Sequence, residues 1–271
     1  MKKVFAVMLL FVACVATAQR SDKITILHTN DTHSCVEPER NGNAGVLNRA
    51  LLIEHIADSV GQENLLLFDC GDFSQGSLYY NCFKGGAEIE LMNAMGYDAC
   101  VIGNHEFDFG LENLARLIKM AEFEFLCANY DFSGTACAGL VKPYTIIECA
   151  GNKIGVFGLS PNPQGLVLRE NYSGVTFISP IVAAEKCVEA LKAKGCDAIV
   201  CLSHLGWKID NEYNDERIAT ETSGIDMILG GHSHDCFEEP VIYTNRVGGE
   251  VAVQQMGKNG RYLGVVTLSF N

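Results

Sequence analysis

Apolar and polar positions along the chain follow two different periods. Short apolar runs predict strands at 24–29, 65–69, 99–103, 123–128, 144–149, 154–159, 198–203 and 225–229. Between them, apolar residues recur at helical spacing and predict helices over 44–60, 87–95, 111–121 and 181–194. In the third of these, Leu111, Leu114, Leu117, Ile118 and Ala121 fall on one face. Strands alternating with helices are the pattern of an α/β domain. Ala150-Gly151-Asn152-Lys153 reads as a hairpin turn between two strands, with Gly-Asn supplying the positive φ. The stretch 250–270, centred on Lys258-Asn259-Gly260, is expected to form a closing antiparallel hairpin. No internal repeat, low-complexity tract or Pro/Ser-rich linker interrupts the pattern.

Residues 1–18 stand outside this alternation. Lys2 and Lys3 precede an apolar run from Val4 to about Val15, and Ala16-Thr17-Ala18 comes before Gln19. This is the anatomy of a secretory signal peptide cleaved after Ala18, which leaves 19–271 as a single domain. The run is too short to cross ~30 Å of hydrocarbon, and no other segment is apolar enough to span a membrane. An exported protein, periplasmic or extracellular, is therefore expected. Lipoprotein anchoring through Cys14 is the alternative.

Composition narrows the function classes. The chain has 271 residues, 48% hydrophobic and 20% charged, which excludes a disordered tail, a coiled coil and a collagen-like fibre. Its 33 acidic against 20 basic residues give a net charge of -13. Such a surface repels polyanions and argues against nucleic acid as a partner. A small phosphate ester stays open, because bound divalent cations reverse the field locally. Of 12 cysteines, those after Cys14 are odd in number and cannot all pair within one chain. Export permits disulfides. However, Cys70, Cys100, Cys149 and Cys201 lie in apolar runs where a thiol acts as a small hydrophobe, and there is no Cys-x-x-Cys.

Candidate chemistry clusters where the predicted strands end. Asn30-Asp31-Thr32-His33, Gly71-Asp72, Asn104-His105-Glu106-Phe107-Asp108, His204-Leu205-Gly206 and Gly230-Gly231-His232-Ser233-His234 each follow a strand. Loops at the carboxyl ends of strands in open α/β sheets converge on one crevice. Five of the seven histidines sit in these loops. On extended backbone, the two outer side chains of Asp31-x-His33 and of His232-x-His234 point the same way and can offer paired metal ligands. Imidazole, carboxylate and amide together suit Zn²⁺, Mn²⁺ or Co²⁺ better than Ca²⁺, with Mg²⁺ as an alternative.

The series Asp31-x-His33, Gly71-Asp72, Gly103-Asn104-His105-Glu106, His204 and Gly231-His232-x-His234 resembles the calcineurin-like metallophosphoesterases. The flanking residues, from His28 to His33, Gly103 to Asp108, Ser203 to Gly206 and Gly230 to His234, are similar to the catalytic domain of secreted 5′-nucleotidases. The resemblance implies a four-layer α/β/β/α sandwich of two mainly mixed sheets and a site for two divalent metal ions. It places one ion on Asp31, His33, Asp72 and His234, and the other on Asp72, Asn104, His204 and His232. His105 matches the catalytic histidine and Asp108 the acid that orients it. The implied reaction is attack of a metal-bridging hydroxide on a phosphate ester, most naturally a nucleoside 5′-monophosphate. Two cations acidify the water and absorb phosphoryl charge, while His105 bonds the phosphoryl oxygen or protonates the leaving group. His28 matches the motif without being a ligand and is expected in the core or behind the site, and mid-helix His55 is expected to be solvated.

The resemblance stops short at the C-terminal end, where the family carries a substrate-specificity domain with base-stacking aromatics and phosphate-binding arginines. Nothing in this sequence matches that domain. Specificity is therefore expected from a separate polypeptide supplying the nucleoside-binding half. Two alternatives stay open: a phosphodiesterase acting on cyclic nucleotides or nucleotide sugars, and a non-catalytic subunit or binding module. The paired His105 and Asp108 favour an enzyme, since a binding protein has no use for such a dyad.

Overall fold

The computed structural model describes residues 20–270, so the signal-peptide reading of 1–18, with Cys14, lies outside the described residues. The strands are β1 Lys23–Thr29, β2 Leu65–Asp69, β3 Ala99–Val101, β4 Glu124–Leu126, β5 Tyr130–Asp131, β6 Tyr144–Cys149, β7 Asn152–Leu159, β8 Thr176–Phe177, β9 Ala198–Ser203, β10 Met227–Leu229, β11 Val241–Thr244, β12 Glu250–Gln254 and β13 Gly264–Ser269. The α-helices are α1 Val46–Val60, α2 Leu78–Phe83, α3 Gly86–Met95, α4 Gly110–Met120, α5 Pro180–Ala193 and α6 Asp215–Glu221.

Two large mixed sheets result, ordered β13-β1-β2-β3-β4 and β11-β12-β10-β9-β7-β6, with β5 and β8 forming a separate pair. Strand periodicity of two explains how they stack. In β1, Ile24 and Ile26 face the second sheet while Leu27 faces the helices; in β9, Val200 and Leu202 face the first sheet while Ile199 and Cys201 face α5 and α6. One apolar cluster fills the space between the sheets. A second seals α1, α3 and α4 onto the first sheet, and a third seals α5 and α6 onto the other. The architecture is the expected four-layer α/β/β/α sandwich.

Two local expectations are corrected. The hairpin joining β6 to β7 turns through Ala150 and Gly151, whose φ values are 49° and 77°, while Asn152 already pairs with Cys149. The closing hairpin does not exist: β12 lies against β10 and β11, whereas β13 crosses to pair antiparallel with β1. Asn259 and Gly260 do adopt positive φ, but their turn carries the chain between sheets, and Asn259 N–H donates to the Asp31 carbonyl at 2.7 Å. The short elements α2 and α6 were not foreseen. All eleven described cysteines are free, and Cys70, Cys100, Cys149 and Cys201 are buried as small hydrophobes.

Strands β1, β2 and β3 run parallel in one sheet, and β7, β9 and β10 run parallel in the other. Loops leaving β1, β2, β3, β9 and β10 meet at one edge of the sandwich, spanning both sheets. Glycine permits the close approach: a Cβ on Gly71, whose φ is 86°, would sit 2.8 Å from the backbone N of Gly103 and from His204 Nδ1.

Candidate metal centre

Five side chains of the crevice sit on left-handed backbone: Asp31 at φ 48°, His33 at 45°, Asp72 at 56°, His232 at 72° and His234 at 59°. This corrects the extended-backbone reading of Asp31-x-His33 and His232-x-His234. The pairs converge because the chain curls, not because alternate residues of a strand share a face. Such conformations cost about 1–3 kcal/mol each and persist only where the surroundings impose them.

Those surroundings are a net of hydrogen bonds that pins one oxygen of each carboxylate and leaves the other facing the crevice. Asp31 Oδ2 accepts from Asn30 Nδ2 at 2.7 Å and from the His232 N–H at 2.9 Å. Its Oδ1 has no hydrogen-bond partner and lies 3.6 Å from His33 Nε2 and 3.3 Å from His234 Nε2. Asp72 Oδ1 accepts from the His105 N–H at 2.8 Å, and its Oδ2 stands 2.9 Å from His204 Nε2 and 3.8 Å from His33 Nε2. Asp72 thus reaches histidines of both halves of the crevice. His204 Nδ1 donates to the Cys70 carbonyl at 2.6 Å, which fixes the ring with Nε2 toward the crevice.

Two groups of candidate ligands emerge, Asp31 with His33 and His234, and Asp72 with His204 and His232; within each the ligand atoms lie within 4.8 Å of one another. Asp31 Oδ1, His33 Nε2 and Asn104 Oδ1 are buried without hydrogen-bond partners, a combination that is costly unless a cation satisfies them. Divalent ions fit this donor set of imidazole nitrogens and carboxylate oxygens. The electrostatics agree. Burial opposes ionisation of Asp31 and Asp72, but the neighbouring histidines outweigh it and hold both carboxyls below the usual range. Burial likewise works against charge on His33 and His204, yet the two aspartates raise them to about 9 and about 10, so imidazolium balances the carboxylates where a metal would. Burial and the His204 charge push His232 down to about 4, leaving it neutral and ready to ligate.

Beside the two groups stands His105, its ring 5.7 Å from that of His33. Its Nδ1 is 2.8 Å from Asp108 Oδ2. Between them in sequence, Glu106 serves geometry: its carboxylate accepts the N–H groups of Asp72 at 3.0 Å, Phe73 at 3.1 Å and Gly103 at 2.7 Å. His28 is fully buried behind the site, 3.2 Å from Gln254 Oε1, and burial lowers it to about 4. His55 is exposed on α1. The sequence reading missed Gln255, which holds the His232–His234 loop. Its Nε2 donates to the Gly231 carbonyl at 2.8 Å, and its Oε1 accepts from Ser233 Oγ at 3.1 Å and the Asp235 N–H at 2.6 Å. Its place just after the parallel strand β12 was the available signal.

The sequence model for the calcineurin-like phosphoesterase family matches residues 24–236. The chain is 31% identical to the snake venom 5′-nucleotidase of Gloydius brevicauda, over 96% of this chain and 47% of that protein. It is 30% identical to the 5′-nucleotidase of Bos taurus, over 94% and 48%. Among solved structures, the 5′-nucleotidase precursor of Thermus thermophilus superposes with a TM-score of 0.84 at 33% identity, over 92% of this chain and 52% of that one. The NAD nucleotidase of Haemophilus influenzae superposes with a TM-score of 0.79 at 28% identity, over 92% and 47%. The chain spans about half the length of the curated relatives it matches.

Proposed function

The chain belongs to the calcineurin-like phosphoesterase family, a family of hydrolases, and from that premise we propose that it hydrolyses phosphate monoesters, nucleoside 5′-monophosphates foremost. The observation that carries this reading is the convergence of unpartnered, buried imidazole and carboxylate atoms beside an intact His105–Asp108 pair. Asp31, His33 and His234 would hold one divalent cation, and Asn104, His204 and His232 the other, with Asp72 shared. Zn²⁺, Mn²⁺ or Co²⁺ suits these donors, with Mg²⁺ as an alternative. Two cations held there would lower the pKa of water and neutralise charge that builds on phosphoryl oxygens.

The protein's own residues supply the rest. Asp108 orients His105 through Nδ1, leaving Nε2 to donate to a phosphoryl oxygen or to protonate the departing alkoxide. Glu106 keeps Asp72 and Gly103 in register, so the shared carboxylate cannot drift from the histidines it serves. Selectivity for the nucleoside we assign to a further unit beside this catalytic domain, a reading supported by the half-length match to the 5′-nucleotidases. Export through residues 1–18, with 19–271 as one catalytic domain, belongs to the same reading and is checked by N-terminal sequencing of protein recovered outside the cytoplasm.

A second reading, cleavage of phosphodiesters or dinucleotides, is supported by the likeness to the NAD nucleotidase. The test is to reconstitute the chain with Zn²⁺ or Mn²⁺, measure bound metal, and compare kcat/KM for AMP, UMP, a cyclic nucleotide, NAD and an aryl phosphate. Hydrolysis of the monoesters with two metals per chain is expected. Absence of stoichiometric transition metal would overturn the two-ion reading. A preference beyond about a hundredfold for one nucleotide, more than a methylene-sized contact gives, would show that this chain carries its own base pocket.

A further inference from the structure

Neither sequence motif nor family resemblance points to Tyr80, yet it touches the dyad. It lies in α2, where Ser77 Oγ caps the helix by accepting the Tyr80 N–H at 3.1 Å, and its ring packs 4.9 Å from that of Phe109. This placement carries its hydroxyl to Asp108 Oδ2 at 2.7 Å, the same oxygen that lies 2.8 Å from His105 Nδ1. On the opposite side, Asn171 Nδ2 donates to the Asp108 carbonyl at 2.9 Å and ties down the backbone of the same residue. Burial, and then the carboxylate itself, raise the Tyr80 pKa, so the phenol keeps its proton and is the donor in the pair.

We propose that Tyr80 is a positioning residue for the reaction inferred above: its hydroxyl locks the Asp108 carboxylate, and through it the His105 ring, in the orientation that presents Nε2 to the phosphoryl group. This rests on the phosphoesterase reading of His105. A carboxylate with a single donor can rotate about its side-chain bond and take the imidazole with it. Two donors from different elements, meeting on one oxygen, remove that freedom. In-line phosphoryl transfer tolerates little misplacement of the group that meets the leaving oxygen, and misorientation of that group lowers turnover more than binding.

The experiment is a double-mutant cycle on the zinc-loaded full chain with AMP and 4-nitrophenyl phosphate as substrates. Tyr80→Phe keeps the ring against Phe109 and removes only the hydroxyl. It should lower kcat by about 10- to 150-fold, the range for a hydrogen bond to a charged group, with KM and metal content unchanged. In a His105→Ala background the same substitution should cost nothing further, because the group it positions is gone. Ring-nitrogen NMR of His105 should show one Nδ1–H species in the parent and exchange broadening in Tyr80→Phe. Equal losses in both backgrounds, or an unchanged kcat and spectrum, would overturn the positioning role while leaving the phosphoesterase reading intact. Full activity in His105→Ala would overturn the catalytic role of His105 and with it the positioning role, whereas no hydrolysis by the metal-loaded parent would overturn the phosphoesterase reading; each is recognised before Tyr80 is touched.

Discussion

Glu106 offers the sharpest test of how the metal crevice is held together. Its two carboxylate oxygens accept three backbone N–H groups from the loops after β2 and β3. Burial, and then the Asp72 charge, raise its pKa to about 8, so two forces compete at neutral pH: a poorly solvated carboxyl and a cradle built from donors only. Glu106→Gln separates them. With its amide oxygen at the Oε2 position, glutamine still accepts from Asp72 and Gly103. Its NH₂ then faces the Phe73 N–H, donor against donor, in a place where the residue is 2% exposed. A buried unsatisfied donor costs about 1–3 kcal/mol, and two such groups are created, so we expect a loss of about 3 kcal/mol. For a chain of this size that lowers Tm by roughly 6–12 °C. Calorimetry of metal-loaded parent and variant at about pH 7.5 measures it, alongside bound metal, which should fall as the Asp72 loop shifts. A Tm change under about 2 °C, less than 1 kcal/mol on the same scale, would show that glutamine fits the cradle and that the donor count does not govern it.

The ligand assignment predicts a split among substitutions. Asp72→Asn and His232→Ala should lose metal and hydrolysis together, whereas His105→Ala should keep its metal and lose about 10²–10⁴ in kcat; equal metal loss in all three, by elemental analysis, would refute the division. The metal-free chain should lose stability as pH rises. His33 and His204 are raised above their unfolded value, to about 9 and about 10, so their stabilisation is complete below about pH 6.5 and disappears on passing through those values. Melting curves of the chelated protein between about pH 7 and 10 should therefore fall while those with Zn²⁺ stay flatter, and a chelated Tm that holds or climbs over that range would contradict the charge pairing.

Much of the site was legible because parallel strands deliver their loops to one edge, and Asp31, Asp72, His204 and His232 each lie within a few residues of a strand's carboxyl end. Backbone conformation was not legible. Asp and His tolerate left-handed φ better than most residues, but nothing in Asp31-x-His33 distinguishes a curl from a strand until the partners of Asp31 Oδ2 are known. The path of 255–264 escaped for a different reason. Asn259-Gly260 announces a turn, yet which strands it joins depends on which sheet edges are open, and those lie far away in sequence at β1 and β10. Helix α2 spans only six residues, too few to show a period, so Tyr80 carried no signal at all.

The bond from the His232 N–H to Asp31 Oδ2 joins residues 201 positions apart, and Asn259 also closes onto Asp31. In chain order Asp31 and His33 come first, and these partners lie at least 201 positions beyond Asp31. Until residues 232–259 are in place, the Asp31 group lacks His234 and the bonds that fix Asp31 Oδ2 and its carbonyl. A cation held by Asp31, His33 and His234 would therefore bind only once this long-range contact has formed, which ties ion capture to closure of the two sheets onto each other.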